Sequence, residues 1–198
     1  VLEAKLPIVR GGVDVPLEPP SRANAGELRV VAVGRLIPKK GFDLLVDAIA
    51  SMRDEGRGVR CSIVGGGPEQ ERLRAQIDRL RLADRVELLG SKPNRDTLAQ
   101  VDQADLFVLP CRVDNSGDRD GIPVALMEAM ARRVCVVSGD LPAIRELIDH
   151  ERTGLLVTPG DAGALAQAMT RLIVEPDLRL RLADAGRAWV SEEFSTPV

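Results

Sequence analysis

The chain has 198 residues, 44% of them hydrophobic, which fits one or two domains with an ordinary core. Its 27 basic and 30 acidic side chains leave a formal charge of −3, and three Phe, one Trp and no Tyr offer little for bases to stack on, which argues against a nucleic-acid partner. No signal-peptide pattern and no bilayer-length apolar run is present, so a soluble, cytoplasmic protein is expected; it begins with Val and reads as a piece of something longer.

Residues 1–26 hold four of the 13 prolines and the turn-like Gly11-Gly12, and are expected to form a linker or lead-in arm, with a domain proper from 27 to 198. Leu28 to Val33 is apolar and β-branched and reads as a buried strand. Phe42, Leu45, Val46 and Ile49 recur at helical spacing, predicting a helix from Gly41 to Arg53. Val59 to Val64 predicts a second strand, closed by Gly65-Gly66-Gly67, after which Pro68 is expected to open a helix running to Leu82. A third strand is predicted from Val86 to Leu89, then a helix from Arg95 to Gln103. Further strands are expected at Leu106 to Leu109, Val134 to Val137 and Leu155 to Val157. Two helices, Ala162 to Ile173 and Asp177 to Glu192, close the chain, with Pro176 between them.

Strands alternating with helices imply an α/β fold, a Rossmann-like doubly wound parallel sheet of about six strands. Ligands bind such sheets at the carboxyl ends of the strands. Four loops emerge there: Gly34 to Gly41, Gly65 to Pro68, Gly90 to Asn94 and Cys111 to Pro123. Cys61 and Cys135 lie in strand-like runs, and none of the three cysteines shows the close pairing of a zinc or redox motif, so all are expected to be reduced. His150, the only histidine, has no nucleophile or metal set around it and is expected at the surface with no role.

The stretch Asp120-Gly121-Ile122-Pro123-Val124-Ala125-Leu126-Met127-Glu128-Ala129-Met130 reads as the start of a helix with Pro123 at its first position. From Ile122 to Ala131 only Glu128 is polar, so the helix should be buried on most of its circumference. A lone buried carboxylate needs donors, and a polyhydroxyl ligand is one source. Asp120 precedes the helix start, where exposed N–H groups favour an anion such as a phosphate. The plain alternative is a core helix in which Glu128 pairs with Arg132 and Asp120 is the N-cap.

This stretch resembles the E-x7-E signature of the retaining family 4 glycosyltransferases of the GT-B fold, with Asp120 in place of the first Glu. Gly34-Arg35-Leu36-Ile37-Pro38-Lys39-Lys40-Gly41 has neither P-loop nor GxGxxG spacing, and by charge alone is a basic loop. It resembles the family's G-R-L…K-G element, so the resemblance implies that Arg35 and Lys40 hold a donor diphosphate. Gly65-Gly66-Gly67-Pro68 resembles the family's V-G-x-G-P segment bordering the donor site, and Leu89-Gly90-Ser91-Lys92 its stretch meeting the nucleobase around Lys92. Ser138 and the turn Leu141 to Leu147 resemble a further family segment without adding chemistry. The resemblance runs from Arg10-Gly11-Gly12-Val13-Asp14 to Phe194 and covers one half of a two-domain enzyme, the C-terminal half that binds the nucleotide sugar.

The resemblance implies a transferase moving a sugar from a nucleoside diphosphate to an acceptor, in polysaccharide or glycolipid synthesis. No metal and no cofactor are implied, and the acceptor is held by a missing N-terminal domain, with peripheral membrane association of the whole protein open. Asp120, Arg35 and Lys40 take the catalytic roles; Gly65, Gly66, Lys92, Gly121, Ile122, Pro123, Val124 and Glu128 join them around the donor, Glu128 at the ribose diol. Asp120 is a methylene shorter than the family's Glu, and Pro123, standing where many members have Gly, removes one N–H donor. Two other readings stay open: another GT-B enzyme such as an epimerase or phosphorylase, and a non-catalytic flavodoxin-like module whose acidic pair is structural.

Overall fold

The computed structural model describes residues 12–19 and 27–194. Six parallel strands form one sheet: β1 (Leu28–Val33), β2 (Val59–Val64), β3 (Val86–Gly90), β4 (Leu106–Leu109), β5 (Cys135–Gly139) and β6 (Leu155–Val157). Their order is β3-β2-β1-β4-β5-β6, so the sheet grows one way from β1 through β3 and the other way from β4 through β6. In doubly wound folds this reversal opens a crevice between the two central strands. Here it lies between β1 and β4, paired at Val30 with Leu106 and Val31 with Phe107.

Burial follows position in the sheet. Every residue of β4 and β5 is buried, as parallel strands covered on both faces require. The connections are α1 (Phe42–Asp54), α2 (Gln70–Arg79), α3 (Asn94–Gln103), α4 (Val124–Ala131), α5 (Pro142–Arg145), α6 (Ala162–Val174) and α7 (Pro176–Glu193). Helix α1 packs against α2 and α6, and α4 against α3 and α7. Pro176 opens α7 at its first turn, where a missing N–H costs nothing. No helix among the described residues is long and apolar enough to cross a membrane.

Helices α1, α3 and α7 start within one residue of the sequence expectation, while two prolines expected to open helices stand outside them. Pro68 lies in a turn and α2 begins at Gln70, because the preceding segment is tied to the neighbouring loop: Leu36 N–H donates to the Gly66 carbonyl (3.0 Å) and Glu69 N–H to the Leu36 carbonyl (3.1 Å). Pro123 is the N-cap of α4 and not its first residue, with ψ at 123° in the extended range. Asp120 is therefore no N-cap, and α4 is less buried than its apolar run predicts, since Val124 is 55% exposed.

The far end of α2 also stops short of Leu82. Arg81 takes a left-handed φ of 53° and closes the helix: its N–H donates to Asp78 and that of the buried Leu82 to Ile77 (2.9 Å). The described part of the lead-in arm packs on the last helix. Val13 is buried and its N–H donates to the Phe194 carbonyl (2.9 Å), while the Arg187 guanidinium donates to the Pro16 carbonyl. The rest of the arm, including Arg10 and Gly11, lies outside the described residues.

Candidate functional site

The chemistry gathers where the sheet reverses direction. The loop leaving β1 turns at Gly41, whose φ is 70°; a Cβ there would stand 2.1 Å from the Pro110 carbonyl oxygen just beyond β4. That contact requires glycine and brings the two loops together. Arg112 laces them further: its N–H donates to the Lys39 carbonyl (2.9 Å), its Nε to the Pro38 carbonyl (3.0 Å), and its Nη2 to Asp43 Oδ2 (2.9 Å).

Beyond Arg112 the acidic loop folds on itself. Asp114 Oδ1 accepts from the Ser116 hydroxyl (2.6 Å), the Ser116 N–H (2.9 Å) and the Asp118 N–H (3.1 Å). The Ser116 hydroxyl foremost holds the Asp114 carboxyl below its ordinary range. The loop so closed presents Asp118 and Asp120 to the lysines. Lys39 Nζ donates to Asp118 Oδ2 at 2.9 Å and stands 3.7 Å from Asp120 Oδ1; Lys40 Nζ is 3.0 Å from Asp120 Oδ2. Its bond to Asp118, with Asp120 nearby, raises the Lys39 pKa. Cys111 adds its thiol to Asp120 Oδ2 at 3.3 Å, and burial pushes that thiol up to about 12, so it keeps its proton and donates.

Beside this ion-pair cluster lies a cleft of about 380 Å³ lined by Gly34, Arg35, Gly65, Gly66, Ser91 and Lys92 among others. Gly34 joins the two features, since a Cβ on it would touch the Lys40 stem at 3.7 Å. Gly65 has φ 146° and a Cβ there would fall 1.8 Å from the Gly34 oxygen, while one on Gly66 would meet Ser91 Oγ at 2.7 Å. Bare backbone thus forms the cleft wall, with an exposed arginine and lysine at its rim.

The structure therefore unites Arg35, Gly65, Gly66 and Lys92 in one cleft, and Lys40 with Asp120 in an ion pair next to it. Gly121, Ile122 and Pro123 form the lead into α4, Val124 is its first residue, and none of the four lines the cleft. Glu128 is half-buried on α4 and lines no part of the cleft. Burial raises its pKa, and Arg132 offsets that rise only in part while it bonds Asp102 at 3.1 Å. Residues absent from the sequence expectation are Lys39, Cys111, Arg112, Asp118 and Ser91. The adjacent lysines and the acidic loop were the visible signal, but neither tells which cation meets which carboxylate.

Two other places carry less. His150 is exposed as expected, with Nδ1 accepting from the Leu156 N–H (3.0 Å). It borders a larger cavity of about 690 Å³ together with Trp189, but the arginines there are already engaged, Arg145 by Asp140 and Arg152 by Asp149, each at 2.7 Å. All three cysteines are free and buried.

The family model described as Glycosyl transferases group 1 matches residues 17–189. The chain is 41% identical over 197 residues to WcaL of Escherichia coli (strain K12), whose name places it among colanic acid biosynthesis glycosyltransferases; the match covers 98% of this chain and 48% of WcaL. It is 34% identical over 202 residues to the GDP-mannose-dependent alpha-(1-6)-phosphatidylinositol monomannoside mannosyltransferase of Mycobacterium tuberculosis (strain ATCC 25618 / H37Rv), covering 96% of this chain and 52% of that enzyme. HepE of Anabaena, solved in complex with UDP, superposes with a TM-score of 0.76 at 28% identity, over 86% of this chain and 46% of HepE. HepE has also been solved with UDP-glucose. The chain spans about half the length of the curated relatives it matches. Its sheet is the Rossmann-like α/β sheet of GT-B glycosyltransferases, and with most of its length matched, the chain belongs to the glycosyl transferases group 1 family.

Proposed function

We propose that this chain is the C-terminal, donor-binding domain of a retaining family 4 glycosyltransferase, taking a nucleoside diphosphate sugar and passing the sugar to an acceptor held by an N-terminal domain. The observation that carries the reading is the ion pair of Lys40 with Asp120 at the point where the sheet reverses, beside a glycine-walled cleft rimmed by Arg35 and Lys92. A diphosphate needs cations and close backbone approach, and both are there. The UDP and UDP-glucose complexes of HepE and the GDP-mannose named for the mycobacterial relative support a nucleotide sugar as the donor class.

In this reading the base lies toward Gly65, Gly66 and Lys92, and the diphosphate meets Arg35 and Lys40. The ribose diol falls to Glu128, whose raised pKa marks a carboxylate short of donors. Gly121, Ile122 and Val124 offer backbone N–H groups that Pro123 cannot. Asp120 orients the sugar's hydroxyls. As the glycosidic bond breaks, negative charge grows on the diphosphate, and fixed cations stabilise that charge without a metal. The leaving diphosphate then assists deprotonation of the acceptor on the same face. The chain alone binds nucleotide and transfers sugar at a negligible rate, because the acceptor site is elsewhere. The whole enzyme works in the cytoplasm, at the inner membrane face if its acceptor is lipid-linked, and serves polysaccharide or glycolipid synthesis, as the names of the relatives support.

Calorimetric titration with UDP, GDP and ADP tests the reading. One nucleotide is expected to bind, with Arg35→Ala weakening it about tenfold or more, the scale of a lost charge-assisted bond. Absence of binding at millimolar concentration, in this chain and in the two-domain protein alike, overturns it.

A further inference from the structure

Asp120 receives more than one carboxylate oxygen needs. Oδ2 takes Lys40 at 3.0 Å and the Cys111 thiol at 3.3 Å, while Oδ1 faces Lys39 at 3.7 Å. Resting on the donor-domain reading, one of these contacts is temporary: Lys40 is the cation that an arriving diphosphate claims. When it goes, Asp120 loses a close charge partner at the moment its carboxylate has to face a sugar. The other two contacts are anchored independently of the ligand.

Lys39 is held from behind by Asp118 at 2.9 Å, and Asp118 is itself fixed by the bond its N–H donates to Asp114. Cys111 is fully buried, and its backbone is wedged against β5, where a Cβ on Gly139 would fall 1.8 Å from the Cys111 oxygen. Its thiol thus points from a rigid wall, in contrast to the long flexible stems of the lysines. We infer that Lys39 and Cys111 are positioning residues that hold Asp120 on the donor sugar once Lys40 has moved to the diphosphate, with Asp118 as the anchor of Lys39. Neither touches the nucleotide, so their contribution appears only when a sugar is attached to it.

The ratio of affinities for a sugar nucleotide and its bare nucleotide reads this out, because the bare nucleotide has nothing for Asp120 to hold. Titrations of UDP-glucose against UDP, and GDP-mannose against GDP, identify the pair that the wild-type chain binds; binding of neither pair, in this chain and in the two-domain protein, sinks the donor-domain reading itself and this inference with it. With the binding pair, Lys39→Ala and Cys111→Ala are expected to shift the ratio against the sugar nucleotide, about tenfold and about fivefold, in line with bonds to a charged group. Affinity for the bare nucleotide stays within about twofold, as it does for a group that makes no phosphate contact. Cys111→Ser, which keeps a donor at that place, restores the ratio, and Asp118→Asn moves it the same way as Lys39→Ala. Parallel losses for both ligands in Lys39→Ala assign Lys39 to the diphosphate and overturn the inference. So does a Cys111→Ala ratio equal to the wild type, or a Cys111→Ser variant no better than Cys111→Ala while its melting temperature matches the wild type.

Discussion

Lys40 Nζ and Asp120 Oδ2 stand 3.0 Å apart, joining the loop after β1 to the loop after β4 across the crevice at the sheet's reversal. Both side chains are mostly shielded from solvent, Lys40 at 14% exposure and Asp120 at 12%. A diphosphate entering the crevice competes with Asp120 for this ammonium. Lys40→Ala is therefore expected to lower nucleotide diphosphate affinity by about 10- to 100-fold, the scale of one lost charge-assisted bond, as read by calorimetry. An affinity within twofold of wild type places the diphosphate elsewhere.

Gly65 is a position where no side chain fits. Its φ is 146°, and a Cβ would lie 1.8 Å from the backbone oxygen of Gly34, a residue whose N–H donates to the Val64 carbonyl at the end of β2 (3.0 Å). Gly65→Ala is expected to destabilise the fold by on the order of 2–4 kcal/mol, from backbone strain and overpacking together. Urea unfolding followed by circular dichroism measures it, and a change below about 0.5 kcal/mol, the range of an ordinary surface substitution, contradicts the close approach.

Glu128 makes stability depend on pH in an unusual direction. Burial raises its pKa in the fold above the ordinary 4.5. Between those two values the folded chain retains a proton that the unfolded chain has released, so this group's contribution falls as pH rises through the window and stays unfavourable above it. Glu128→Gln removes the charge and is expected to raise the melting temperature at pH 7 by about 2–4 °C, equivalent to about 1 kcal/mol, in the absence of nucleotide. Scanning calorimetry at pH 7 and pH 4 should show that gain shrinking at the lower pH. A gain that grows on acidification contradicts the assignment.

Arg81 closes α2 in a conformation that suits glycine, at φ 53°. Glycine at that position costs nothing for the missing Cβ, and the two capping bonds to Asp78 and Ile77 use only backbone atoms. Arg81→Gly is expected to stabilise the chain by about 0.5–1 kcal/mol despite the greater freedom it gives the unfolded state. Thermal denaturation of the single variant is sufficient, and a loss of stability refutes the point.

The strands were legible because their signal is local. Leu28 to Val33, Val59 to Val64, Leu106 to Leu109 and Leu155 to Val157 begin and end where the apolar, β-branched runs do. Helix ends were less legible, since they answer to contacts from outside the helix. Pro68 permits a helix start, but the bonds between Leu36 and the segment Gly66 to Glu69 delay α2 to Gln70. In the site, the basic and acidic loops were each visible. The link from Lys39 to Asp118 and from Cys111 to Asp120 was not, because nothing local encodes which partners a fold brings together.

Composition, periodicity and punctuation by Gly and Pro thus determined a parallel α/β sheet with its glycine-bearing loops at one edge, since each of these properties acts over a few residues. The order β3-β2-β1-β4-β5-β6, and with it the meeting of the β1 and β4 loops, was decided by tertiary structure alone. The reason is that strand order is set by how helices cover the sheet and how connections cross it, which depends on the whole chain. Two of the three contacts on Asp120 come from that order, the flexible lysines of the loop after β1; the third, the buried Cys111 thiol, comes from the beginning of Asp120's own loop.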